Sequence, residues 1–308
     1  MKRLLSGMLL VLAAFIWGAA FSAQSASTEF VGPFTFNASR FLIGGIVLIP
    51  VSLITERFRK KKRTVEIDSS LQNSVKPADG FAGHLKAGII CGIVVAAASS
   101  FQQIGMALGT PPGKAGFITA LYVILVPICE IFLTQGMLST WVSALLAVAG
   151  MYLLSMSGES IMPLGDLMEV LCSLGFTIHI LVIDRLTPRL NGVTVSCIQF
   201  LTAGVLCTII TLFTESVSLS ALIDCAGPIL YAGICSCGIA YTLQIIGQKN
   251  TKPVVASLLL SLESVFSVIA AWLVLGETLT GREIAGCCIV FAAIILAQLP
   301  AMRPKKEA

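Results

Sequence analysis

The sequence predicts an all-α polytopic membrane protein, with ten transmembrane helices arranged as two inverted five-helix repeats. Three observations carry that expectation. Hydrophobic residues make up 56% of the 308 positions and charged residues 12%, about half the usual charged share of a soluble domain. Mean hydropathy is +0.93. Windows free of charge, each long enough to cross a hydrocarbon core, recur along the whole chain, and its second half echoes its first. A soluble fold this apolar would lack polar residues to cover its core, whereas lipid covers a membrane bundle. Disorder, collagen, a disulfide-stapled secreted domain and a free-standing nucleic-acid binder are excluded by the same composition. The windows are solidly apolar rather than alternating, which excludes a β-barrel.

The elements follow in order. Span 1 is expected at residues 4–28, which carry no charge, and span 2 at 30–55, where Arg40 is the one charge. The opening Met1-Lys2-Arg3, the apolar run and the small residues near Phe21–Ala26 imitate a secretory signal. The apolar run is too long for a signal core, so it is read as an uncleaved first span. Span 3 is expected within 87–113, and 115–158 is long enough for spans 4 and 5 with a break near residues 134–140. Spans 6 to 10 are expected at 167–183, 190–214, 225–248, 253–276 and 284–302. Turns fall at Gly, Pro and Asn clusters, including Gly109-Thr-Pro-Pro-Gly-Lys114 and Gln248-Lys-Asn-Thr-Lys-Pro253.

Orientation follows from Lys and Arg placement. With the N-terminus inside, the inner segments hold 17 of the 20 basic residues, eight of them in the linker at 56–86 with its run Arg57-Phe-Arg-Lys-Lys-Lys-Arg63. The outer loops hold Lys114 and Arg282. Both termini are therefore expected in the cytoplasm, with the protein in the plasma membrane. The basic run reads as a topology anchor that can also touch anionic headgroups.

A shift of 159 places residues 12–21 on 171–180, Arg40-Phe41-Leu42 on Gln199-Phe200-Leu201, and Gly45 on Gly204. Later spans align at 137, with Ala120, Leu125 and Pro127 on Ser257, Leu262 and Ser264. The expected organisation is a first repeat at 1–157, a second at 158–302 and a cytoplasmic tail at 303–308. Five is odd, so the second repeat must enter the membrane upside down. Inverted repeats place a substrate site near the midplane and permit alternating access by rocking.

At Trp17-Gly18, Arg40-Phe-Leu42, the stretches 115–127 and 179–185, and Ser261-Leu-Glu-Ser-Val-Phe266 with the Gly276-Glu-Thr-Leu-Thr280 that follows, the chain resembles the EamA-type carriers of the drug/metabolite transporter superfamily. The resemblance implies a ten-helix carrier whose central cavity moves amino acids, other metabolites or toxic amphiphiles, often outward. Members often have Pro after the span 9 Glu, where this chain has Ser264. That departure implies a less kinked span 9. The linker at 56–86 is also long for so compact a carrier.

Candidate substrate-binding or coupling residues are Glu263, His179, Trp17, Arg40, Gln199 and Gln244. A mid-span carboxylate at Glu263 costs roughly 2.5–3.5 kcal/mol on insertion scales, so it must face the cavity or a partner. There it can bind and release a proton during transport, or simply bond a neighbouring helix. Arg40, about two turns into span 2, either holds a substrate carboxylate through a bidentate pair or anchors helix carbonyls. His179 is a proton relay or a satisfied interior histidine. Trp17 lies too deep for an interface belt and packs at a cavity wall or stacks on substrate. Gln199 and Gln244, with Gln24, Asn37, Gln102 and Gln103, add polar groups that bind substrate or hold helices together.

The ten cysteines lie mostly within spans, with no paired CxxC and no Cys/His cluster, so no metal or cofactor is expected. No Walker A, GxSxG or HExxH sequence occurs. The acids Asp166, Glu169 and Asp184 are scattered along span 6 rather than gathered at one interface. The reading is a secondary active transporter of small metabolites, an exporter driven by a proton gradient or by exchange, and not an enzyme. Its partners are a small-molecule substrate and the bilayer, not nucleic acid. The alternatives are a membrane-embedded enzyme on lipid-linked substrates and a non-transporting receptor or assembly subunit.

Overall fold

The computed structural model describes residues 2–69, 81–131, 162–276 and 280–302, with isolated positions among 142–153. The described residues form helices and no strand. Eight are long and apolar enough to cross a membrane: Leu4–Ser27, Pro33–Phe58, Phe81–Ala107, Pro112–Cys129, Leu164–Leu186, Gly192–Thr214, Ala226–Gln248 and Pro253–Leu275. These are spans 1 to 4 and 6 to 9. Helix Gly281–Met302 stands where span 10 is expected. The expected span 5, the break near 134–140 and the tail at 303–308 lie outside the described residues.

The boundaries have local causes. Helix Pro33–Ser69 continues past the apolar part of span 2 into the basic run, because Lys, Arg and Glu are good helix formers once the chain leaves lipid. Span 3 ends at Ala107, where Gly109 takes φ +95°, a left-handed conformation that costs glycine little. Pro112 then opens span 4 as its first helical residue, where a missing N–H costs nothing. Lys114, expected in a loop, sits in that first turn and is buried against Asp166.

Spans 4 and 9 are each built in two pieces. Helix Pro112–Thr119 is followed by Tyr122–Ile131, and Pro253–Leu260 by Glu263–Leu275. The same bonds frame both breaks. Val123 N donates to Ala120 O (3.0 Å) and Ile124 N to Leu121 O (2.9 Å); Ser264 N donates to Ser261 O and Val265 N to Leu262 O, both at 3.1 Å. These tight i to i−3 contacts replace two α-helical bonds in each span. The correspondence runs at 141 residues, one helical turn from the 137 expected, so Tyr122 is the counterpart of Glu263. Span 9 is interrupted without proline. Ser257, Ser261, Ser264 and Ser267 each turn their hydroxyl onto the carbonyl three residues back, at 2.7–2.9 Å. Hydroxyls that compete for these carbonyls loosen a helix much as a proline does.

Spans 2 and 7 run antiparallel against each other, and their contacts come in matched pairs. A Cβ on Gly45 would lie 2.8 Å from Leu201 Cδ2 and 3.0 Å from Leu201 N; one on Gly204 would lie 2.7 Å from Leu42 Cδ2 and 3.0 Å from Leu42 N. Phe41 stacks on Phe200 with ring centroids 5.7 Å apart. At one end of the pair Thr35 Oγ1 donates to Glu215 (2.6 Å); at the other, Thr194 Oγ1 donates to Glu56 (3.2 Å). Every pairing exchanges positions 159 apart.

The first span of each expected repeat packs into the other. Span 1 lies against spans 8 and 9, and span 6 against spans 3 and 4. Here too the contacts match. Gly105 is covered by Gly165 O and Glu169, and Gly247 by Ser6 O and Leu10. Gly92 meets Gln199 O and Thr202, as Gly233 meets Arg40 O and Ile43. Span 8 contains a π-helical stretch, Tyr231–Ala240. It accommodates one extra residue, which is why the separation is 141 at Gly92 and Gly233 but 142 at Gly105 and Gly247.

Candidate functional site

Seven spans, 1 to 4, 6, 8 and 9, each contribute side chains to the lining of one narrow cavity. It forms where the helices are least regular. Tyr122 and Glu263 begin the second pieces of spans 4 and 9, and Tyr241 and Gln244 follow the π stretch of span 8 directly. An inserted residue rotates everything downstream by about 100°, so the π stretch sets which face of span 8 meets the cavity.

Part of the lining is cationic. Arg40 is 3% exposed; its Nε donates to Asn37 Oδ1 (2.9 Å) and its Nη1 to Gln24 Oε1 (2.8 Å). Asn37 is itself held through Nδ2 to Ser99 O (3.0 Å). The guanidinium lies over the rings of Phe36 and Phe41, 5.3 and 4.9 Å from their centroids, a favourable cation–π placement. Among the described residues no carboxylate forms an ion pair with it. Neutral acceptors and aromatic faces offset part of its desolvation, and the positive charge still faces the cavity.

The lining also holds a carboxyl. Glu263 is 4% exposed and accepts a 2.8 Å hydrogen bond on Oε1 from Tyr122 OH. It lies in the first turn of helix Glu263–Leu275, where the helix dipole favours negative charge. Aromatic rings share the lining. Trp17 meets Tyr241 edge-on at 4.6 Å. Trp17 Nε1 and Gln244 Oε1 are buried and make no hydrogen bond among the described residues, so a donor and an acceptor are available for a ligand.

Four of the six sequence candidates, Trp17, Arg40, Gln244 and Glu263, therefore line one cavity. His179 and Gln199 do not. They bond each other, His179 Nε2 to Gln199 Oε1 at 2.9 Å, behind Tyr241, whose ring lies 5.9 Å from the imidazole. Sequence reasoning missed Tyr122, Tyr241 and Thr119, all in the lining. Tyr122 was findable, since alignment of the two broken spans at 141 rather than 137 pairs it with Glu263. Nothing in the sequence marks the π stretch that delivers Tyr241.

A bundle of apolar helices around a buried cavity lined by a guanidinium and a carboxyl defines the class of multi-pass membrane transporters. The comparisons agree. The profile of the EamA-like transporter family matches residues 5–156 and again 163–299. The chain belongs to that family. An uncharacterized transporter of Archaeoglobus fulgidus is 28% identical over 302 residues, covering 97% of this chain and 87% of the relative. A solved crystal structure of a protein with 20% identity superimposes with a TM-score of 0.67 over 97% of this chain and 99% of the other, which establishes a shared fold.

Proposed function

We propose that this transporter is a secondary carrier of small metabolites with polar ends, amino acids or amphiphilic compounds, and that it exports them from the cytoplasm by alternating access. The observation that carries the reading is the cavity itself, whose lining combines a guanidinium that has no acidic partner among the described residues, a carboxyl and aromatic rings. Such a site suits an anionic or zwitterionic group at one end of a substrate and an apolar body beside Trp17 and Tyr241. The two repeats at 1–157 and 158–302 are inverted about an axis between spans 2 and 7. The antiparallel run of those spans and their exchanged contacts at a separation of 159 support this.

In this reading the moving bodies are not the two halves of the sequence. Because spans 1 and 6 are exchanged, one body is spans 1, 8 and 9 and the other is spans 3, 4 and 6, with spans 2 and 7 between them. Glu263 and Tyr122 sit on opposite bodies, so their hydrogen bond must break or slide as the cavity changes sides. That coupling lets Glu263 exchange a proton in step with the motion.

The test compares Glu263→Gln with wild type in proteoliposomes at matched protein, with and without an imposed pH gradient. The substrate is first chosen by uptake and efflux profiling against a metabolite panel. The variant should lose gradient-driven accumulation and keep exchange of substrate down its own gradient. Gradient-driven uptake that persists in Glu263→Gln rules out this coupling role. Loss of both activities with low protein yield would assign Glu263 to packing.

A further inference from the structure

We propose that Glu169 is a second proton-binding site, connected to the central cavity through the hydroxyl of Thr119. This deepens the proton-coupled carrier reading and rests on it. Glu169 is 0% exposed. Its Oε2 accepts a 3.1 Å hydrogen bond from Thr119 Oγ1, and its Oε1 has no hydrogen-bond partner among the described residues. Thr119 lines the cavity, and its hydroxyl also accepts from Gln102 Nε2 at 3.3 Å, another lining residue. One hydroxyl thus separates a fully buried carboxyl from the substrate space.

The charged neighbours isolate this carboxyl rather than neutralise it. On span 6, Asp166 lies one turn away, but it is occupied by Lys114 Nζ (2.8 Å) from span 4 and by Thr110 Oγ1 (3.1 Å). Cys172, also on span 6, has its Sγ 3.8 Å from Thr119 Oγ1. Span 3 presents Gly105 and Gln102, which do not titrate; the absent side chain of Gly105 makes room for Oε1, which would lie 2.8 Å from a Cβ there. Glu263 of span 9 stands beyond Tyr122. An ionised carboxylate here would keep an oxygen out of water that no cation pairs with among the described residues, an expensive arrangement that a bound proton relieves.

Packing does not require an acid at this place. The matching crossing at the other end of the bundle puts Leu10 over Gly247 where Glu169 covers Gly105, with Ser6 O in the place of Gly165 O. A leucine closes that crossing. The carboxyl of Glu169 therefore adds chemistry to a contact that an apolar side chain makes equally well.

The transfer is a simple proton relay. A hydronium ion in the opened cavity gives its excess proton to Thr119 Oγ1, and is left as neutral water, as the hydroxyl passes its own proton to Glu169 Oε2. One O–H bond forms on the carboxyl, the threonine O–H is broken and remade, and nothing is oxidised or reduced. In reverse, the proton leaves by the same route.

The test needs no substrate. The full chain in lipid nanodiscs is titrated with protons alone, and the infrared C=O stretch of protonated carboxyl groups is followed in wild type, Glu169→Gln, Glu169→Leu, Thr119→Val and Glu263→Gln. One pH-dependent band should vanish in Glu169→Gln and in Glu169→Leu and survive in Glu263→Gln. In Thr119→Val that band should persist and exchange for deuterium about a hundredfold or more slowly, the scale on which a positioned proton-transfer group acts. Glu169→Leu should fold, as its counterpart Leu10 does. A Glu169→Gln spectrum identical to wild type overturns the proposal, and so does loss of the band on adding sodium at fixed pH, which would mark a metal cation as the ligand. A normal Glu169 band in a protein that moves no substrate would instead overturn the carrier reading and leave the proton site standing.

Discussion

At Arg40 two roles that look alike in sequence have different consequences. The guanidinium binds Asn37 and Gln24 through separate nitrogens and lies over two aromatic rings, and both features depend on its planar fork. Lysine keeps the charge but cannot reach both oxygens. Arg40→Lys should therefore lose about 1–3 kcal/mol of stability, the usual cost of a buried polar group left unpaired, read as a lower Tm in detergent. It should still transport an acidic or zwitterionic substrate at a reduced rate. Arg40→Gln should abolish that transport while yielding folded protein. Transport by Arg40→Gln at the wild-type rate would leave Arg40 a structural strut. Among single residues the sequence revealed most where charge interrupts apolar runs, because a buried charge needs a reason. Arg40 and Glu263 stand out on that ground alone. Tyr122 and Thr119 do not, since a Tyr or Thr in an apolar helix carries no such penalty and its orientation is set by a break the composition hides. Glu169 was visible as an acid but not as a buried one, because its exposure depends on how span 6 crosses span 3.

Helix contacts between spans 2 and 7 depend on missing side chains. Gly45 and Gly204 admit Leu201 and Leu42 so closely that each added Cβ would sit 3.0 Å from a backbone nitrogen, which cannot move aside as a flexible side chain can. Gly45→Ala and Gly204→Ala should each destabilise the protein by about 1–3 kcal/mol through overpacking. The two losses should agree closely, because the two sites exchange the same contact. Thermal unfolding of the single variants in one detergent measures this. A large effect at one glycine and none at the other would contradict a two-fold axis between spans 2 and 7. The sequence made this pairing legible, since Gly45 and Gly204 coincide at a shift of 159. It hid the one-residue insertion in span 8, because a π turn has no composition of its own. It also misplaced the later spans by a turn, since one apolar helix aligns with another almost as well four residues out of register.

For the whole molecule, orientation and motion are separate questions, and the first must be answered before the second. The clustering of basic residues on one side puts Glu29 and Ser218 outside and Asn250 inside, and all three are exposed. Single cysteines there, in a background freed of the native ten, should react with an impermeant thiol reagent in intact cells at Glu29→Cys and Ser218→Cys. Asn250→Cys should react only after the membrane is opened. Labelling of Asn250→Cys in intact cells would invert the topology.

The motion can then be tested at contacts that distinguish the moving bodies from the sequence halves. Ser27 and Gln103 belong to the same half of the sequence but, through the exchange of span 1, to different bodies. Gln103 Nε2 donates to Ser27 Oγ (3.0 Å) and to Gln24 O (3.0 Å), closing the bundle at the end that faces outward in this orientation. The counterparts of Gln24 and Gln103 at the opposite end are Ile183 and Ile245, which pack in one apolar cluster, so both ends have a contact that must part. Ser6 and Asn250 are the reverse case. They come from different halves yet lie in one body, with Asn250 Nδ2 donating to Ser6 Oγ at 3.4 Å. A short bis-thiol crosslink between Ser27→Cys and Gln103→Cys should stop transport and leave the protein folded. The same reagent across Ser6→Cys and Asn250→Cys should leave turnover close to that of the uncrosslinked pair. If the two sequence halves moved as rigid units the outcomes would be exchanged: the Ser27–Gln103 crosslink would be harmless and the Ser6–Asn250 crosslink would be fatal. Undiminished transport with both crosslinks formed would argue against rocking of either kind, because the outer closure and the inner end of span 1 would then both be pinned while substrate still crossed.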